Sequence, residues 1–325
     1  MTRLAAIAWV MLALLPAPAS GEGSKADGAV PRLEHVFVII EENMNFDDVV
    51  NHATEAPYLS ALAQDHVRHE AYYGLTHASL GNYTGMVSGQ IPSSLDQRNC
   101  PGYTDCIRAG PTIAAQLDSK GLTWRGYFES MPRPCARPSG GLDGYQVGYA
   151  TRHNPFVYFQ EIVGNEPYCL AHVVPYEKNF EADLKSGPPN FAFIVPNTCN
   201  DGHDTGCQVN KTPLQVLDAW LEKNAPPILK FVYQNPRSAL IVTFDEAVTS
   251  DRSACCNQKP GAGGGHIDFV MVAPGLERAR GHRPTTPANH YSLLRTLEEA
   301  FGLAPLGEAV SVPPMTDLFK PPPAR

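Results

Sequence analysis

Apolar residues in this chain gather into short unbroken runs, separated by longer segments in which they recur every three or four positions. Val36 to Ile40 is such a run, and others stand at Phe191 to Val195, Ala239 to Phe244 and Phe269 to Ala273. A strand covered on both faces reads as an unbroken run, because neither face alternates toward water. Helical spacing occupies Pro57 to Val67, Pro111 to Lys120, Thr212 to Lys223 and Tyr291 to Phe301. Buried strands alternating with helices predict an α/β fold, with three α/β/α layers around a mainly parallel central sheet. Cys100 to Pro189 is richer in Pro, Gly and aromatic residues, which predicts long connections or a small cap. Residues 32–305 are expected to form one domain, and residues 306–325, with Pro321-Pro322-Pro323, a tail.

Polar residues follow three of the apolar runs. Glu41-Glu42-Asn43 comes after the first, Pro196 to Asp204 after the second and Asp245-Glu246 after the third. In open α/β sheets ligands bind at the carboxyl ends of strands, so these groups are expected to converge. Alone, Asp245-Glu246 reads equally well as a solvated loop pair or a helix cap. The repetition at successive strand ends favours a site. Packed acids repel unless a cation neutralises them. Glu42, Asn43, Asp245 and Glu246 offer oxygen ligands suited to a hard divalent ion, with calcium, magnesium or manganese ahead of zinc.

A nucleophile candidate, Ser79, lies in Thr76-His77-Ala78-Ser79-Leu80-Gly81-Asn82-Tyr83. A metal would lower its pKa, and Asn82 is placed to donate to a substrate oxygen. The alternative is that Ser79 caps a helix starting near Leu80. No G-x-S-x-G is present, so an α/β-hydrolase esterase is not supported. Gly263-Gly264-Gly265 is followed by His266 rather than Lys-Ser/Thr, and reads as a turn rather than a P-loop.

Together these segments resemble the bacterial phosphoesterase family of secreted acid phosphatases and phospholipases C, within the alkaline-phosphatase-like superfamily. The resemblance rests on Glu42-Asn43-Met44-Asn45-Phe46-Asp47 and on His77 to Tyr83, where Ala78 and Gly81 replace two prolines. It extends through His153-Asn154-Pro155-Phe156, Pro196 to Asp204, Phe244-Asp245-Glu246 and His290 to Glu298. It implies a metal held by Glu42, Asn43, Asp245 and Glu246, attack on phosphorus by Ser79, and a non-bridging oxygen held by Asn82. His153 and His203 would contact phosphate or serve the leaving group, with Asp201 and Asp204 orienting them on the substrate side. His290 is expected to cap or pack at the last helix, and His266 has no assigned role. The implied activity is a secreted, metal-dependent acid phosphatase acting on phosphate monoesters through a phosphoserine. A phospholipase C-type phosphodiesterase and an exported binding protein without turnover are the alternatives.

Residues 1–20 carry Arg3, an apolar stretch from Leu4 to Leu15 and small residues at Ala17 to Ser20, which predicts a signal peptide followed by a linker over 21–31. A secreted or periplasmic location without a stable membrane anchor follows. Eight cysteines agree with an oxidising compartment and read as disulfides. Cys100/Cys106 and Cys199/Cys207 are close enough to clip loops, whereas the neighbours Cys255 and Cys256 are expected to pair elsewhere or to leave one free. The net charge of −8, without a basic run, disfavours a nucleic-acid partner; the resemblance implies a small-molecule or lipid phosphate ester as substrate. Of the two sequons, at Asn82 and Asn210, the first would block the site if used.

Overall fold

The computed structural model describes residues 30–138, 148–258 and 261–321. The expected signal peptide, most of the linker and the last four residues lie outside them. The described residues form ten strands: β1 (His35–Glu41), β2 (Val67–Arg68), β3 (Tyr72–Tyr73), β4 (Trp124–Phe128), β5 (Val173–Pro175), β6 (Phe191–Val195), β7 (Ser238–Phe244), β8 (His266–Ile267), β9 (Phe269–Val272) and β10 (Ala288–Asn289). The α-helices are α1 (Phe46–Val50), α2 (Pro57–Asp65), α3 (Ser79–Ser88), α4 (Ile113–Ser119), α5 (Gln160–Val163), α6 (Glu166–His172), α7 (Tyr176–Ser186), α8 (Pro213–Gln234) and α9 (His290–Phe301).

Seven strands make the main sheet, in the order β2-β9-β7-β1-β6-β4-β5. The run from β7 to β5 is parallel, and β9 and β2 are antiparallel additions at one edge. Every residue of β6 and β7 is buried, as their unbroken apolar sequences require. Helices α2, α7 and α8 cover one face and α3, α4 and α9 the other, giving the expected three layers. A second small sheet, β10-β3-β8, stands beside the carboxyl end of β7.

Four expectations are revised. The stretch from Cys100 to Pro189 contributes β4 and β5 to the main sheet, with α4 to α7 around them. Helix α8 runs past Lys223 to Gln234, because Pro226 and Pro227 fall on its exposed side, where water can take the carbonyls they leave unbonded. Residues 306–321 pack on the body rather than trailing: Ala309, Met315, Leu318 and Phe319 are buried, and Phe319 bridges to Glu277. Finally, Cys255 and Cys256 bond to each other, and the other bridges are Cys100–Cys106, Cys135–Cys169 and Cys199–Cys207. With the other six cysteines paired among themselves, the adjacent two have no other thiol to reach.

Candidate active site

Strand register builds the site. In the parallel pair β1–β7, Glu41 stands opposite Phe244, so Glu42 and Asp245 emerge side by side, and the Asp245 N–H donates to the Glu41 carbonyl at 2.9 Å. The loop after β6 joins them when the Glu42 N–H donates to the Asp201 carbonyl at 2.8 Å. Asn43 turns the chain away in the left-handed region, at φ 52°, and its amide donates to Glu42 Oε2 at 3.0 Å. Its backbone N–H reaches Asp245 Oδ1 at 3.4 Å.

Ser79 is the first residue of α3 and is 3% exposed. Ala78 occupies the cap position, and no side chain caps the helix. The capping alternative therefore does not describe this serine. Its hydroxyl instead faces two acids, with Oγ 3.3 Å from Glu42 Oε2 and 3.5 Å from Glu246 Oε1. His77 fixes the second acid: Nδ1 contacts Glu246 Oε2 while Nε2 lies 2.7 Å from the Asp251 carbonyl. Gly264 presses on the segment leading to Ser79, and a Cβ there would stand 2.6 Å from the Thr76 carbonyl. The triple-glycine turn is thus a packing device.

Burial, reinforced by neighbouring acids, pushes the carboxyls of Glu42 and Asp245 well above the ordinary range. Glu246 is raised as well, chiefly by burial and against the opposing pull of His77. Asp245 Oδ2 is buried without a hydrogen-bond partner. A cluster of desolvated oxygens with an unsatisfied member fits a divalent cation, which would remove both the repulsion and the orphaned acceptor. Glu42, Asn43, Asp245 and Glu246 are the side chains that would hold it, beside Ser79.

His153 is buried in the second tier of the site. Its ring stacks on Tyr83 with centroids 5.3 Å apart, and Nε2 lies 3.1 Å from Glu42 Oε1. Burial pushes its pKa well down, with Arg152 and His203 adding to the effect. His203 is partly exposed, and its Nδ1 meets Asp204 Oδ1 at 2.8 Å while its backbone N–H donates to Asp201 Oδ1 at 2.8 Å. Asp201 and Asp204 thus position His203. A cavity of about 370 Å³ opens beside Asn43 and His203, with Met44, His52 and Val248 in its wall.

Arg152 was not singled out by sequence reasoning. It reaches His203 Nε2 at 3.3 Å, and its charge opposes, without overcoming, the burial that raises the carboxyls of Glu42 and Asp201. The available signal was its position just ahead of His153-Asn154-Pro155-Phe156. Asn82 takes a different position from the one its spacing suggested. Its Oδ1 accepts from the N–H groups of Leu75 and Thr76, and its Nδ2 donates to the Thr76 carbonyl. These bonds direct the amide into the loop before Ser79, and full burial removes Asn82 as a sugar acceptor.

His290 is fully buried, with Nε2 2.6 Å from the Asp245 carbonyl and Nδ1 2.9 Å from the Tyr72 hydroxyl, and burial lowers its pKa to about 4. His266 stacks between Phe46 and Tyr73. Both serve packing. Cys199, Asp204 and Cys207 also cluster, but their two sulfurs are joined.

Comparison with known proteins gives the family of the chain. A profile of the Phosphoesterase family matches residues 51–304. A phosphatidylinositol-3-phosphatase of Mycobacterium tuberculosis is 29% identical over 90% of this chain and 85% of its own. A probable acid phosphatase of Kluyveromyces lactis is 27% identical over 87% of this chain, which spans only 61% of that longer protein. Among solved structures, a Vibrio parahaemolyticus protein of the alkaline phosphatase superfamily superposes with a TM-score of 0.58 at 13% identity, covering 90% of this chain and 74% of its own.

Proposed function

The chain belongs to the phosphoesterase family and is a phosphoric ester hydrolase, and from that premise we propose that it is an exported, metal-dependent acid phosphatase using Ser79 as nucleophile. The observation that carries this reading is the Ser79 hydroxyl at the start of α3, free of capping and turned toward Glu42 and Glu246. When bound by Glu42, Asn43, Asp245 and Glu246, a divalent ion supplies charge that lowers the hydroxyl pKa and offsets the phosphoryl oxygens.

Ser79 Oγ forms a bond to phosphorus as the bond from phosphorus to the alcohol oxygen breaks, and its proton passes to Glu42, the nearer of the two carboxylates it faces. His203, on the cavity wall and aligned by Asp201 and Asp204, gives a proton to the departing alkoxide. It then takes one from the water that cleaves the phosphoserine, and the carboxylate gives its proton back to Ser79 Oγ as inorganic phosphate is released. Arg152, against His203, brings a planar guanidinium suited to phosphoryl oxygens. Asn82 anchors the loop that aims Ser79. Support for a monoesterase comes from the acid phosphatase names of several relatives. Four disulfides support export, and among the described residues no helix is long and apolar enough to cross a membrane.

Ser79→Ala tests the assignment. Release of phosphate from an aryl phosphomonoester is expected to fall by roughly 10³-fold or more while the circular dichroism spectrum stays that of the parent. Unchanged turnover would refute the nucleophile. Release of phosphocholine from phosphatidylcholine separates this reading from a phospholipase C, which would cleave that diester in preference.

A further inference from the structure

The four disulfides differ in what they can do for the fold. Cys100–Cys106, Cys135–Cys169 and Cys199–Cys207 join residues 6, 34 and 8 positions apart, and each closes a loop of chain. Cross-links of that kind stabilise by denying loop freedom to the unfolded chain. Cys255–Cys256 joins residues 1 position apart and closes no such loop. Its contribution lies in the local backbone instead. Cys256 and Asn257 both sit in the left-handed region, at φ 58° and 72°, where cysteine is uncommon.

That turn is tied to the approach to Ser79. Gln258 Nε2 donates to the Leu75 carbonyl, and Asn257 Nδ2 donates to the Ser311 carbonyl at 3.0 Å. The Cys256 side chain packs on Leu75, Tyr291 and Val312. Leu75 begins the loop that Asn82 anchors and that leads into α3. A few residues ahead of the disulfide, Asp251 gives the carbonyl met by His77, whose other nitrogen contacts Glu246. The bond can also be reached. Both cysteines are partly exposed, and a cavity of about 280 Å³ opens beside Cys256, with Thr76, Ile91 and Gln258 in its wall.

We propose that Cys255–Cys256 is a thiol–disulfide exchange site at which a dithiol reductant lowers turnover at Ser79. A thiolate of the reductant attacks Cys256 Sγ from the cavity, and the bond to Cys255 breaks as the mixed disulfide forms. The second thiol of the reductant then displaces Cys256 and closes its own disulfide. Two electrons pass to the pair, and the two protons of the dithiol end on Cys255 and Cys256. Cys256 Sγ lies 3.2 Å from the Pro287 carbonyl, to which a thiol donates and a bonded sulfur does not, so the reduced form gains a hydrogen bond. Exposure and a favoured reduced form mark labile disulfides. Freed of the bond, Cys256 relaxes out of the left-handed region and Gln258 leaves Leu75, loosening the loop that aims Ser79. The effect on turnover rests on the phosphatase reading, whereas the exchange itself does not.

Full-length oxidised protein is equilibrated in dithiothreitol redox buffers of increasing reducing power. Each sample is blocked with iodoacetamide, desalted and given Mn²⁺. Peptide mass spectrometry locates the blocked thiols, and hydrolysis of an aryl phosphomonoester is measured alongside. Cys255 and Cys256 are expected to be blocked together, ahead of the other six, with the circular dichroism spectrum unchanged. In step with them kcat falls roughly tenfold while KM holds, as lost alignment requires. Cys255→Ser/Cys256→Ser should show the lowered kcat without reductant and no further response. Gln258→Ala keeps the disulfide, drops the hold on Leu75 and should lower kcat as well, so it carries the test if the double variant misfolds. Reduction of another bridge first, or undiminished kcat with this pair alone reduced, would overturn the proposal and leave the phosphatase reading standing. Undiminished kcat in the double variant or in Gln258→Ala would overturn it too. A parent without turnover in any buffer would overturn the phosphatase reading and the control of turnover with it, while the thiol map still decides whether exchange occurs at this pair.

Discussion

Two buried aspartates stand one strand apart at the same edge of the main sheet and are treated in opposite ways. Asp268 precedes β9 and is saturated: Arg68 donates to both its oxygens, at 2.8 and 2.7 Å, and the Phe269 N–H donates at 3.0 Å. Asp245 follows the neighbouring β7 and has Glu42 and Glu246 beside it, with Oδ2 unpartnered. Burial is equal, since Asp268 is 1% exposed and Asp245 0%. What separates a structural acid from a candidate ligand is therefore whether its oxygens are satisfied.

Substitution should split the pair cleanly. Arg68→Ala leaves Asp268 as a buried, uncompensated charge and is expected to cost about 3–5 kcal/mol of stability, read from urea unfolding, while activity per folded molecule persists. Asp245→Asn keeps the Oδ1 contacts and removes a charge from a repelling cluster. Metal-free protein should then stay within about 1 kcal/mol of the parent while turnover is lost. If Asp245→Asn destabilises as strongly as Arg68→Ala, the contrast between the two aspartates fails.

A smaller effect is expected at a third buried acid remote from the site. Burial raises the Glu298 carboxyl to about 8, although Oε1 accepts the Leu306 N–H at 2.8 Å. An acid whose pKa is raised on folding binds its proton more tightly in the folded state. Its contribution is complete below the ordinary carboxyl range and is lost as pH rises through about 8. Glu298→Gln should therefore gain on the parent in melting temperature between pH 5 and pH 9, by about 2–4 °C. A difference that does not change with pH would mean that the carboxyl is not strained by burial.

Much of this arrangement is legible along the chain. β1, β6, β7 and β9 are unbroken apolar runs because both their faces are covered, and the acids after β1 and β7 meet because parallel register carries them to one edge. β4 escapes the same reading. Arg125 leans out to Asp183, and Gly126 makes room for Phe156, so Trp124-Arg125-Gly126-Tyr127-Phe128 shows no apolar run. The position of Asn82 is also illegible, because its partners are backbone groups of a loop, which no spacing specifies. The Cys255–Cys256 bond defied the expectation that the neighbours pair elsewhere or leave one free, since the partners of the other six cysteines depend on loops brought together only by the fold.

The central claim is that Ser79 and the unsaturated acids face one phosphoryl group together. Diffraction from crystals grown with vanadate and Mn²⁺ tests it most directly, through the anomalous signal of both elements. The account predicts vanadium at bonding distance from Ser79 Oγ and manganese among Glu42, Asn43, Asp245 and Glu246. Vanadate bound away from Ser79, or no ion among those four side chains, would contradict it.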